Sequence, residues 1–211
     1  MHSRSSSFSS LKRGILFCCL LTAGPGAKNF AMAQTREEVF APTPLQKFDG
    51  RSDWSRTGLT TLPTGGNAPW TINMFVKPEV ALYELTLIGG FGNARDGQGT
   101  QRYIGRIGDG IHFWGGGIDV ESDVPFDVGG WQMITAAFDG KTLTLYKNGQ
   151  SIKTSPVTLM DAVSEIHLSP KETWPNQDQR QFNGRIQGFA VWNSALSTSD
   201  IQKLMTSMPE R

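Results

Sequence analysis

The stretch "WQMITAAFDGKTLTLYKNGQSI" at residues 131–152 constrains the fold more than any other part of the chain. Two runs rich in β-formers, Trp131 to Phe138 and Leu143 to Tyr146, are each followed by an Asx-Gly pair, Asp139-Gly140 and Asn148-Gly149. Such pairs between apolar runs mark tight hairpins, because both central residues of a type I′ turn take positive φ. The spacing predicts three consecutive antiparallel strands with Trp131, Ile134, Phe138, Leu143 and Leu145 turned to a core. These residues are scaffold, so any function is expected on the loops and the concave face.

The same rhythm runs along most of the chain. β-like runs at 45–49, 57–62, 70–77, 85–89, 101–107, 110–114, 131–138, 142–147, 150–154, 164–168 and 182–193 are separated by Gly, Pro, Asn and Asp. That spacing predicts one all-β sandwich of two antiparallel sheets over 45–195. The exception is "SALSTSDIQKLMTSMPER" at the C-terminus, where Ser197 and Asp200 resemble a capping box. Ile201, Leu204 and Met205 follow at i, i+3 and i+4, so a short helix is expected to lay its apolar face on the sandwich.

Residues 1–33 have the composition of a leader. Arg4, Lys12 and Arg13 precede the apolar run "ILFCCLLTAG", and "AMA" at 31–33 supplies small residues at a cleavage position. This is the order of a secretory signal peptide, and the apolar run is too short to span a bilayer. Cleavage after Ala33 is expected, giving a secreted or periplasmic protein with a short polar arm at 34–44 and the domain at 45–211. A lipid-anchored form would use Cys18 or Cys19, but Phe17 stands where a small residue precedes a lipidated cysteine. Both cysteines leave with the leader, which removes disulfides and thiolate metal sites from the exported part. The leader also carries four of the twenty Lys and Arg (Arg4, Lys12, Arg13, Lys28), leaving sixteen against nineteen acidic residues. A net charge of minus three argues against nucleic acid and anionic membranes as partners, and no membrane insertion is expected after leader removal.

The ordered motifs resemble those of the laminin G-like, concanavalin A-like lectin/glucanase superfamily. "WQMITAAFDGKTLTLYKNGQSI" is similar to its Trp-led strand, "[FY]DG" turn and "LxLYxNG" hairpin. "FNGRIQGFAVWNSALSTSDI" at 182–201 resembles its closing strand and helix, and "LQKFDGRSDW" and "WTINMFVKP" its opening strands. The resemblance covers about residues 45–205 and implies a jelly-roll sandwich, with Trp70, Trp131 and Trp192 at core positions. It implies a fold used for glycan binding, adhesion, calcium-dependent recognition and, in some branches, glycoside cleavage. Relatives often carry an acidic pair in the closing strand, where this chain has Gln187 and Gly188, so contacts that depend on those acids are in doubt.

Catalysis finds little support. The glucanases of this fold place their carboxylates on one strand as "ExDxxE", a pattern absent here, and there is no G-x-S-x-G elbow. In "DVESD", Asp119, Glu121 and Asp123 alternate and would share one strand face. Such a row either lies in solvent and discourages strand addition or supplies oxygens to a cation, calcium first. An aromatic beside amide and charged donors on a loop is a binding platform for a sugar, and "SPKETWPNQDQRQF" offers Trp174 with Asn176 and Arg180. Trp114 in "HFWGGG" borders a Gly-rich turn that lets another surface approach. The reading is therefore a secreted, non-enzymatic binding module for a glycan or glycosylated surface. The alternatives are an adhesive module that contacts a cell-surface protein, and a divergent glycoside hydrolase.

Overall fold

The computed structural model describes residues 37–93, 97–171 and 181–210. Two antiparallel sheets face each other. One contains β1 (Glu38–Phe40), β2 (Gln46–Asp49), β4 (Trp70–Pro78), β9 (Gln132–Phe138), β10 (Thr142–Lys147), β11 (Gln150–Pro156) and β13 (Asn183–Trp192). Their order is β1-β13-β4-β9-β10-β11, with β2 also on β13. The other runs β3-β12-β5-β6-β7-β8, from β3 (Trp54–Thr57), β12 (Glu165–Leu168), β5 (Leu85–Gly92), β6 (Gln101–Ile107) and β7 (Gly110–Trp114) to β8 (Asp119–Glu121). This is the expected jelly-roll sandwich.

Period-two alternation builds the core between the sheets. Trp70, Ile72, Met74 and Val76 of β4, Ile134 and Phe138 of β9, and Leu143 and Leu145 of β10 meet Phe91, Ile104, Phe113 and Ile166 of the opposing sheet. Trp70 is fully buried at the centre. Its ring stacks on Phe113 at 5.7 Å and meets Phe91 edge-on at 5.9 Å, so one indole ties strands of both sheets together. Each such side chain contributes about 2–3 kcal/mol by leaving water.

The β9-β10-β11 meander forms as expected, but its two turns differ. Asn148 and Gly149 have φ of 51° and 75°, the type I′ pair. At the first turn only Gly140 is left-handed. There the Asp139 carboxylate accepts the backbone N–H groups of Lys141 and Thr142 at 2.9 and 2.7 Å, so an Asx turn closes the loop. Trp131 lies just ahead of β9 and is half-buried, packing on the outer face of the sheet rather than in the main core. The run expected at 57–62 is instead β3 at Trp54–Thr57, ended by Gly58 with φ 74°.

Residues 37–44, expected as an arm ahead of the domain, are built into it. Phe40 enters the core, and β1 pairs with the end of β13. At the C-terminus α1 (Thr198–Leu204) starts where the capping box places it, with the Ser197 hydroxyl accepting the Asp200 N–H. A 3-10 turn, Met205–Ser207, follows. Ile201 is buried, and with Leu204 and Met205 it covers Phe75, Met133, Ala137 and Tyr146 on the outer face of the seven-stranded sheet. The Thr71 hydroxyl fixes the approach to this helix, donating to Ser194 O and accepting from Leu196 N.

Gly149→Val tests the primed turn. A β-branched residue resists φ 75°, and its Cβ would stand 3.1 Å from Gln202 of α1. The expected loss is about 1–3 kcal/mol, read as a lowered thermal midpoint, and an unchanged midpoint refutes it.

Candidate functional site

Strand β13 carries an irregularity around which a small cavity is built. Its register against β4 slips between Gln187, opposite Phe75, and Ala190, opposite Asn73. Gly188 takes φ 64° in this bulge. Bulges re-aim side chains and leave ladder groups unpaired, and here Thr43 satisfies them. Gly188 N donates to Thr43 O at 2.9 Å, Thr43 N donates to Phe189 O at 3.0 Å, and the Thr43 hydroxyl accepts from Phe189 N at 3.3 Å. A Cβ at position 188 would lie 2.9 Å from the Phe75 ring, so glycine there lets that ring lie against the strand.

The result is a cavity of about 240 Å³ on the outer face of the seven-stranded sheet, roofed by Leu204 and Ser207. Phe75 and Trp192 supply aromatic walls, Asn73 and Gln187 supply amides, and Glu38 supplies its one carboxylate. No basic side chain lines it among the described residues. Asn73 is held in place by the Thr135 hydroxyl, which donates to its Oδ1 at 2.7 Å. Glu38 is exposed as a residue, yet partial burial of its carboxyl raises its pKa above the ordinary value. Aromatic faces with convergent amides in a small apolar recess form a site for a compact polar ligand with a C–H face.

The described residues among those singled out from the sequence lie elsewhere. Trp174, Asn176 and Arg180 fall outside the described residues. Trp114 is on the outer face of the six-stranded sheet, 8% exposed, and its indole N–H donates to Gln101 Oε1 at 2.5 Å. With Leu87 and Tyr103 it forms a small packed cluster rather than an open platform. Asp119 and Glu121 share the exposed face of β8, and Asp123, two residues on, is exposed as well. Asp119 stands 3.3 Å from Nε2 of buried His112, in ion-pair range but without hydrogen-bond geometry. Glu121 and Asp123 line an open cleft of about 690 Å³ with Glu84, Asp109 and Lys153. Strand β8 ends at Glu121, and Ser122 continues along β7 by donating to Ile111 O through its backbone N–H and its hydroxyl. Among the described residues no three His, Cys, Asp or Glu side chains are gathered as a metal site requires.

Sequence reading missed the β13 cavity because Trp192 reads as the end of a core strand. The available signal was Gln187-Gly188, two residues that depart from the acidic pair of similar proteins.

Tyr103 shows how firmly the six-stranded face is packed. Its hydroxyl donates to Gly92 O at 3.2 Å. Burial, with the nearby charge of Glu165, holds its phenol well above the usual value. Above about pH 10 the unfolded chain ionises this group while the native state keeps it neutral, so its stabilising contribution is present below that pH and is lost as pH rises. Tyr103→Phe is expected to cost about 1 kcal/mol at neutral pH and to flatten the fall of the thermal midpoint above about pH 10. An unchanged alkaline slope contradicts the burial.

Solved structures with the same architecture include domain 4 of AbnA, an extracellular arabinanase from Geobacillus stearothermophilus, in complex with arabinotriose. It is 20% identical with a TM-score of 0.58, covering 75% of each chain. The CBM40 of the Ruminococcus gnavus IT-sialidase, bound to α2,3-sialyllactose, is 13% identical with a TM-score of 0.64, covering 80% of this chain and 99% of that one. The binding domain of botulinum neurotoxin serotype C1 is 15% identical with a TM-score of 0.59 over 83% of this chain, which spans only 47% of that domain. No curated protein matches the chain in sequence. At these identities the likeness is one of fold. The family model described as concanavalin A-like lectin/glucanases superfamily, of laminin G type, matches residues 49–202, and the chain belongs to that superfamily.

Proposed function

We propose that this protein is an exported, non-enzymatic glycan-binding module whose binding site is the β13 cavity. The observation that carries the reading is the set of Trp192, Phe75, Gln187 and Asn73 around one recess beside the bulge at Gly188. A pyranose or furanose ring presents C–H groups to an aromatic wall and hydroxyls to amides, and these walls match both. At about 240 Å³ the recess is smaller than the roughly 300–1,000 Å³ of sites for drug-sized molecules. It suits one sugar ring or a chain end. The arabinanase domain and the CBM40 were solved with saccharides bound, which supports use of this architecture for sugars. The glucanase carboxylate pattern is missing from the sequence, which favours binding over cleavage.

A glycan array followed by calorimetry on the purified protein tests the site. Trp192→Ala is expected to weaken binding at least about tenfold, as loss of a hot-spot aromatic does. Because Trp192 also packs beside the outer cluster, Gln187→Ala serves as the milder variant. It should weaken binding while the thermal midpoint moves less than about 2 °C. Wild-type affinity in both variants, or release of reducing sugar from a bound oligosaccharide, refutes the reading.

Export has its own test. N-terminal sequencing of the protein recovered outside the producing cell is expected to begin at Gln34, or within a few residues of it. A product that starts at Met1, or at a lipid-modified Cys18 or Cys19, contradicts cleavage after Ala33.

A further inference from the structure

A second cleft, of about 520 Å³, opens where the edge strands of the two sheets approach, between β1 with the following residues 41–44 and β3. Its chemistry is opposite to that of the β13 cavity. Phe40, Trp54 and Leu59 make an apolar floor, Pro42 and Pro44 stiffen one wall, and Arg56 is the only ionisable group lining it. Trp54 is half-buried and tilts against Phe40 at 6.4 Å, so the indole is braced from behind. The Arg56 guanidinium lies 5.7 Å from the Phe40 ring centroid, within the range of a cation–π contact. No hydrogen bond to a described residue engages the guanidinium. Its five N–H donors lie in its plane and stay available to a ligand.

Arg102, Arg106 and Arg185 are committed within the fold, whereas Arg51 is exposed and lines neither this cleft nor the β13 cavity. Arg102 donates to Gly99 O and Met160 O, Arg106 to Leu82 O and Gly108 O with Asp109 beside it, and Arg185 pairs with Glu79 at 2.8 Å. Arg56 has no carboxylate in ion-pair range among the described residues. A cation held over a ring, without a counter-charge, beside an aromatic platform and the amide of Gln46, is a receptor for a planar anion joined to a flat apolar ring.

We propose that this cleft is a second binding site, specific for a carboxylate-bearing sugar of the hexuronic acid type, with Trp54 as the stacking face and Arg56 as the carboxylate ligand. It rests on the reading of the protein as a glycan binder but uses different residues from the β13 cavity. The two sites lie on either side of Pro42 and Thr43, which line both. The cavity with Glu38 takes neutral sugar, and the cleft with Arg56 takes acidic sugar.

Calorimetry on the full chain with tri-galacturonic acid and with its methyl ester tests this, since esterification removes the charge and keeps the ring. The acid is expected to bind at least about tenfold more tightly than the ester, from one charge-assisted fork, and to weaken with added salt. Arg56→Gln should erase the preference for the acid, Trp54→Ala should weaken both ligands, and Gln187→Ala should leave the preference intact. Thermal midpoints confirm that each variant is folded. Equal affinity for acid and ester, a preference that survives Arg56→Gln, or loss of acid binding in Gln187→Ala overturns the proposal. Failure of the acid to bind a protein that still takes neutral glycans through Trp192 and Gln187 overturns this second site alone and leaves the first standing.

Discussion

Everything in this sandwich that comes from the beginning of the described chain is held by one strand near its end. Three successive pieces of β13 receive three successive pieces of residues 38–49. Residues 183–186 pair with β2, the bulge at Gly188–Phe189 exchanges hydrogen bonds with Thr43, and residues 191–192 pair with β1. The opposite edge of β13 pairs with β4, whose Trp70 anchors the core. With no cysteine among the described residues to staple it, the fold depends on this backbone lamination. Each bond contributes only about 1 kcal/mol net, but an unmet buried N–H or C=O at the bulge would cost more than the bond contributes. Thr43 meets that requirement with its backbone and its hydroxyl at once.

The same arrangement sets the geometry of function. A regular β13 would have carried its ladder past Phe75. The slipped register instead places Gln187 beside an aromatic ring and opens a recess that α1 then roofs. The segment that repairs the bulge also forms the ridge between the recess and the cleft that contains Trp54 and Arg56. Two sites of opposite charge character therefore share one short piece of backbone, and neither uses the hairpin that most clearly announces the fold.

Regular elements were legible in the sequence because their signals are local. Alternation, Asn148-Gly149 and the Ser197 capping box each need only a few neighbouring residues, and each took the expected form. Signals that depend on distant partners were not legible. Residues 37–44 look like a polar arm until β13 supplies the edge that buries Phe40 and Thr43. Trp114 looks like a loop platform until Gln101 takes its N–H. Trp192 looks like core because sequence alone does not show that α1 leaves part of its face beside a cavity.

Joining the first strands to the last also governs when the fold can form. Thr43 and Phe189 are 146 residues apart, and the edge of the seven-stranded sheet cannot close before residues 183–192 exist. Topologies dominated by such distant pairings fold slowly, because loop entropy is lost before the contacts compensate it. Residues 38–182 must therefore all be synthesised before β13 is available to laminate them. The strand that finishes the domain therefore also sets the earliest point at which its edge can close.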